Sequence, residues 1–143
     1  MARYVTTIES RLSAEDAFWY LADFANARFW DPSVSSARAE QDGPPAAGSA
    51  FALVSKFGGR DVALRYEIVE LDAPRRVVLQ AVQPTFTSRD TITVAHSGEG
   101  STVTYDARLI FRGAGRLLDP LFQLVFNRVG RHATQGLRSA LNP

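Results

Sequence analysis

Along residues 50–111 apolar side chains recur at every second position. Phe51, Leu53, Ser55 and Phe57 alternate with Ala50, Ala52, Val54 and Lys56. Val62, Leu64, Tyr66 and Ile68 alternate with Ala63, Arg65 and Glu67, and Val103, Tyr105, Ala107, Leu109 and Phe111 with Thr102, Thr104, Asp106 and Arg108. A period of two predicts half-buried antiparallel strands with one packed face. Turn clusters separate the runs at Asp42-Gly43-Pro44-Pro45, Phe57-Gly58-Gly59, Asp72-Ala73-Pro74 and His96-Ser97-Gly98-Glu99-Gly100. Connections this short make sequence neighbours into sheet neighbours, so the strands form a meander.

The two ends of the chain follow other periods. Residues 2–9 predict a further strand. Ser13, with Asp16 three positions on, opens a helix carrying Ala17, Phe18 and Leu21 as its apolar stripe. Residues 24–30 predict a second short helix, stopped at Asp31-Pro32 because the residue before proline is pushed out of helical conformation. Near the C-terminus, Asp119-Pro120 reads as an acidic N-cap followed by proline at the first helical position. The helix it opens runs to about residue 141 and is roughly 33 Å long at ~1.5 Å per residue. Helical spacing puts Leu121, Phe122, Val125, Val129, Ala133, Gly136 and Ala140 on one face, with Asn127, Arg131, Thr134 and Arg138 opposite. Only the sheet offers an apolar partner wide enough for that face.

Composition narrows the function classes. The 143 residues are 45% hydrophobic and 22% charged, which suits one globular domain with its own core. There is no cysteine, so disulfides, thiolate chemistry and cysteine metal ligands are excluded. Sixteen basic residues against fifteen acidic ones leave a formal charge of +1, unlike a protein that neutralises nucleic-acid phosphates. The segment MARYVTTIES has no apolar stretch of signal-peptide length, and nowhere do eighteen apolar residues run together. The expectation is a cytoplasmic monomer or weak homodimer, with no nucleic-acid partner and no stable membrane insertion.

Three segments carry a family resemblance. Ala22-Asp23-Phe24 through Phe29-Trp30-Asp31-Pro32-Ser33-Val34 looks like a helix-to-strand passage of the START/Bet v 1-like superfamily. Residues 65–76, RYEIVELDAPRR, are similar to its hairpin, and residues 100–105, GSTVTY, to the strand before its last loop. The order matches over nearly the whole length, and the chain resembles most the polyketide cyclase/dehydrase and lipid-transport (SRPBCC) group. The resemblance implies an α+β helix-grip fold. In that fold a curved seven-stranded antiparallel sheet wraps a long C-terminal helix, two short helices lie between strands 1 and 2, and a cavity is left inside. Reaction is not implied, because such proteins include lipid carriers, hormone-binding proteins and aromatase/cyclases.

The chemistry available to such a cavity is limited. The two histidines, His96 in a turn and His132 on the last helix, are too few and too far apart for a zinc site. No G-x-S-x-G elbow or phosphate-binding loop is present, since Gly113-Ala114-Gly115 lacks the residues that would complete one. No metal or cofactor is expected. Strand parity turns Ser55, Tyr66, Ser88, Asp90 and Tyr105 inward, among Trp30, Phe51, Phe57, Phe86 and Phe111. Val125, Val129, His132 and Gly136 are the helix residues expected to border the cavity.

These residues fit an apolar pocket with a few polar anchors, and they fit an ordinary core equally well. His132, Asp90 and Tyr105 are the catalytic candidates; His132 reads either as a ligand contact or as a histidine packed at the helix edge. A glycine at 136 weakens its helix by ~1 kcal/mol relative to alanine, so a close approach, by ligand or by sheet, is expected there. The function read from these features is binding or carriage of a hydrophobic, lipid-like or polyketide-like molecule. A cyclase, aromatase or dehydratase remains the alternative. So does an interaction module using Arg128, Arg131 and Arg138.

Overall fold

A computed structural model describes residues 1–143. Strand β1 (Ala2–Ser10) leads to helix α1 (Ala14–Ala22), a 3-10 turn (Phe24–Asn26) and the single-turn helix α2 (Ala27–Trp30). Six strands follow: β2 (Val34–Ala39), β3 (Ala50–Phe57), β4 (Arg60–Asp72), β5 (Arg76–Val82), β6 (Phe86–Ser97) and β7 (Gly100–Phe111). A 3-10 segment, Gly113–Leu118, then enters helix α3 (Asp119–Leu141). The seven strands form one antiparallel sheet in the order β1-β7-β6-β5-β4-β3-β2. Every sequential neighbour from β2 to β7 pairs, as short connections demand. This is the helix-grip architecture.

Local chemistry explains the boundaries. The Ser13 hydroxyl accepts a hydrogen bond from the Asp16 amide at 3.1 Å, which caps α1. Helix α2 stops at Asp31, whose extended backbone satisfies the proline after it. Register shifts at Val34/Ser36 and Ile68/Glu70 are bulges that sharpen the twist and curl the sheet around α3. The start of α3 differs from expectation. Asp119 is its first helical residue, Leu118 occupies the cap position without a capping side chain, and the Asp119 carboxylate instead pairs with the N-terminal ammonium.

The core is uneven. Its main cluster joins Phe18 and Leu21 of α1 and Trp30 of α2 to Ile8, Ile68, Leu79, Ile92 and Val103 of the sheet and to Leu137 and Leu141 of α3. A smaller cluster, Ala2, Leu109 and Phe111, lies at the other end of α3 with Phe57, Phe86, Phe122 and Phe126 against it.

The face that α3 turns to the cavity and core is Phe122, Phe126, Val129, Gly130, Ala133, Thr134, Leu137 and Leu141, of which Thr134, Leu137 and Leu141 are buried and the others half-buried. The expected face was therefore rotated: Leu121 is 58% exposed, whereas Thr134, expected outside, is buried. Two glycines bring α3 close. A Cβ at Gly136 would stand 1.8 Å from the Trp30 carbonyl oxygen, and one at Gly130 would stand 2.4 Å from the Tyr4 ring. The close approach expected at Gly136 is thus made by α2 backbone, and neither ligand nor sheet makes it.

Helix α3 also clasps the free edge of β1. The Gln123 side chain accepts from the Arg3 amide at 2.8 Å and donates to the Arg3 carbonyl at 2.8 Å. Asn142, just past the helix, accepts from the Arg11 amide and donates to the Glu9 carbonyl.

Candidate functional site

Between the sheet and α3 lies a cavity of about 520 Å³. That is within the range typical of small-molecule sites. Hydrophobic residues make up 18 of the 29 that line it, so an occupant would be held mainly by apolar burial. Aromatic rings, half-buried except for the buried Phe111, frame one end. Phe122 stacks on Phe111 at 4.3 Å and lies nearly parallel to Phe57 at 6.2 Å, while Phe86 meets Phe111 at 6.0 Å. Arg112, Ala114 and Leu118 line this end and are exposed, which makes it the mouth.

The opposite end is closed and carries the polar groups. Asp90 on β6 and Tyr105 on β7 come from adjacent strands, and the phenol donates to Asp90 Oδ2 at 2.6 Å. Tyr66 on β4 reaches Ser88 on β6 with an oxygen–oxygen distance of 2.7 Å. That reach crosses β5, where Ala81, paired with Ser88, leaves room for the ring. Asp31, after α2, accepts from the amide and hydroxyl of Ser33 at 2.9 and 2.8 Å, and the Ser33 hydroxyl lies 3.3 Å from that of Ser55. Trp30 sets its ring edge-to-face with Tyr105 at 5.3 Å.

Burial raises the pKa values of the acids at this end. Asp90 rises from 3.8 to about 7 because burial disfavours its charge; the Tyr105 hydrogen bond opposes the rise, and the charges of Asp31 and Asp106 add to it. Asp31 is also raised, chiefly by burial and against its bonds from Ser33. Both phenols lie well above the ordinary tyrosine value, again chiefly through burial. A carboxyl that is half ionised near neutrality, bonded to a phenol and facing an apolar space, is equipped to bind a polar group or to move a proton. No three His, Asp or Glu side chains converge on one point in the manner of a metal site.

Against this geometry, the model for the family described as polyketide cyclase / dehydrase and lipid transport matches residues 1–142. The chain belongs to that family. Among solved structures, a START superfamily protein from Mycobacterium smegmatis superposes with a TM-score of 0.79 at 14% identity, over 99% of this chain and 97% of that one. The Zhui aromatase/cyclase of Streptomyces sp. R1128 gives 0.78 at 12% identity, over 97% and 92%. The major latex-like protein 151 of Panax ginseng gives 0.71 at 16%, over 99% and 98%. At such identities these likenesses speak for the fold alone. A sequence search of curated proteins finds no match.

Within this polyketide cyclase/lipid-transport domain, nine of the residues singled out as ligand-facing line the cavity: Trp30, Ser55, Phe57, Tyr66, Phe86, Ser88, Tyr105, Phe111 and Val129. Asp90, singled out for catalysis along with Tyr105, lines it too. Four others do not. Phe51 is sealed in the core at 1% exposure, deeper along β3 than Ser55. Val125 is half-buried outside the lining, and His132 is exposed on the solvent side of α3, because the helix is rotated from the expected phase. Gly136 faces the Trp30 carbonyl.

Asp31, which the sequence offers beside Trp30 but which its role as a helix stop sufficed to explain, lines the cavity as well, and Ser33, Thr85 and Phe126 were missed. The signal for Phe126 was its spacing of four from Phe122. Arg128, Arg131 and Arg138 are exposed and make no ion pair within the chain. No helix is long and apolar enough to cross a membrane.

Proposed function

We propose that this domain binds and carries a hydrophobic small molecule in the cavity between the sheet and α3. The observation that carries the reading is the cavity itself: about 520 Å³, lined mostly by apolar side chains, aromatic at its mouth and polar at its closed end. Burying an apolar ligand there gains about 25 cal/mol per Å² removed from water, and the few polar groups would orient it. The lipid-transport part of the family description supports the same reading.

Native mass spectrometry of protein purified gently from its host tests it. A stoichiometric apolar adduct is expected on the wild type. It should be lost in Ala133→Phe, which places a ring in the space that Ala133 borders. An adduct that persists unchanged in the filled variant would place the ligand elsewhere.

A second reading is proton-transfer catalysis on a bound substrate, favoured by the Asp90–Tyr105 pair and by the Asp90 carboxyl held near neutrality. The name of the Zhui aromatase/cyclase is in keeping with it. Turnover of the released compound by wild type but not by Asp90→Asn would establish this activity. Identical product formation by both would exclude Asp90 from it.

A further inference from the structure

We propose that the closed end of the cavity receives the protonated amine of an otherwise apolar ligand, with Asp90 and Asp31 as its counter-charges and the rings of Trp30, Tyr66 and Tyr105 around it. The inference rests on the cavity being a ligand site and names the class of molecule that completes it.

Charge imbalance at this end is the first support. Two carboxyls face a space in which no basic side chain answers them. The sole basic residue in the lining is Arg112, which bonds to Thr87 beyond the end of β7. Asp90 pairs with Ala107 across the sheet, so Arg112 lies five residues farther along the strand, about 17 Å at ~3.4 Å per residue. Helix α3 offers no titratable group to the cavity. The other groups near Asp90 are Tyr105, Tyr66 and Tyr4 from the sheet and Asp106 on its outer face; the cations there, Arg3 and Arg108, pair with Asp106 on the far side of the sheet from the cavity.

Incomplete hydrogen bonding is the second support. Asp90 takes a single hydrogen bond, from Tyr105, and its other oxygen, without a protein partner, is reachable from the cavity that Asp90 lines. A carboxylate so placed can accept a charge-assisted hydrogen bond from a donor that enters, while the unpartnered indole N–H of Trp30 leaves room for an acceptor beside that donor. Trp30, Tyr66 and Tyr105 line the same end, and aromatic rings of this kind attract an ammonium when it lies over a face. Burial raises the carboxyl toward neutral pH, so the empty site holds it partly protonated and an arriving ammonium displaces that proton.

Isothermal titration of the whole chain with n-decylamine, 1-decanol and decanoic acid, below their aggregation limits, tests the idea. Near pH 8 the amine is expected to bind about tenfold tighter than the alcohol, the gain of a charge-assisted hydrogen bond, with the acid weakest. Near pH 5.5 the advantage of the amine should shrink by about tenfold as Asp90 takes up its proton. In Asp90→Asn the gap between amine and alcohol should close, with thermal unfolding checking that the variant is folded. The wild-type series decides the matter even if that variant fails to fold. Equal affinity for all three, a preference for the acid, or an amine preference indifferent to both pH and Asp90→Asn would overturn the proposal while leaving the cavity a ligand site. Failure of all three to bind would overturn that reading as well.

Discussion

The two ends of α3 meet the same sheet in opposite ways. At its C-terminal end, Leu137 and Leu141 are 1% and 0% exposed, Gly136 sits against the Trp30 carbonyl, and α1 and α2 add a second cover. At its N-terminal end the helix stands off the sheet on phenylalanine rings. Leu117, Leu121 and Leu124 there are 83%, 58% and 68% exposed, with no second layer outside them. Both ends are apolar in sequence. The difference is that glycine permits backbone contact and large rings prevent it, so one end is a core and the other an entrance.

The largest effect that should expose this contrast is a pair of truncations. Leu137→Ala is expected to lower stability by about 4 kcal/mol, as for a sealed core leucine. Phe122→Ala should lower it by only about 1 kcal/mol, since its ring is half-buried and borders open space. Urea denaturation of both variants makes the comparison; equal losses would abolish the distinction between core and entrance.

Next in size is a cost built into the closed end. Because the Asp90 carboxyl is raised from 3.8 to about 7, the folded state binds its proton more tightly than the unfolded chain does. Its contribution is favourable below the unfolded value and is lost as pH rises through about 7, an effect of the order of 4 kcal/mol. Unfolding measured from about pH 4 to about pH 8 should show Asp90→Asn gaining on the wild type as pH rises. A constant difference across that range would mean that burial does not govern this group.

Gly136→Ala follows, with a loss of about 2 kcal/mol, because the Cβ would meet backbone, which cannot swing aside as a side chain can. In a Trp19→Phe background, Trp30 fluorescence should shift as α2 is pushed from α3; an unchanged emission with unchanged stability would mean that the contact is not tight. Smallest is Leu124→Ser at the entrance, expected to change stability by less than about 0.5 kcal/mol. A loss several times larger would show that this leucine is covered after all.

The same contrast marks where the sequence was legible. Strand parity placed Ser55, Tyr66, Ser88, Asp90 and Tyr105 correctly, since a period of two has only two phases and each run of apolar residues selects one. A long helix has no such binary choice. Leu121 and Leu124 are as apolar as Phe122 and Phe126, so composition could not tell the exposed pair from the inward one, and that ambiguity carried Val125 and His132 to the wrong side. The need for a close approach at Gly136 was visible in the residue itself. Its partner, a carbonyl 106 positions earlier in the chain, depends on tertiary placement. Asp31 was set aside for another reason: proline at 32 accounted for the turn, and adjacency to Trp30 was the carboxyl's one other signal.

The clasp of Gln123 and Asn142 on β1 bears on how the molecule behaves in a crowded solution. An open sheet has two bare margins, and a bare margin can recruit a strand from another chain and seed insoluble fibres. At the two ends of β1 the Arg3 amide and carbonyl, the Arg11 amide and the Glu9 carbonyl are already satisfied by two amide side chains of the same molecule. At β2 the margin is six residues long and kinked by a bulge. A chain that leaves an apolar entrance open to solvent thus keeps its strands from becoming templates, and the first sign of losing Gln123 or Asn142 would be turbidity on storage rather than a lower melting temperature.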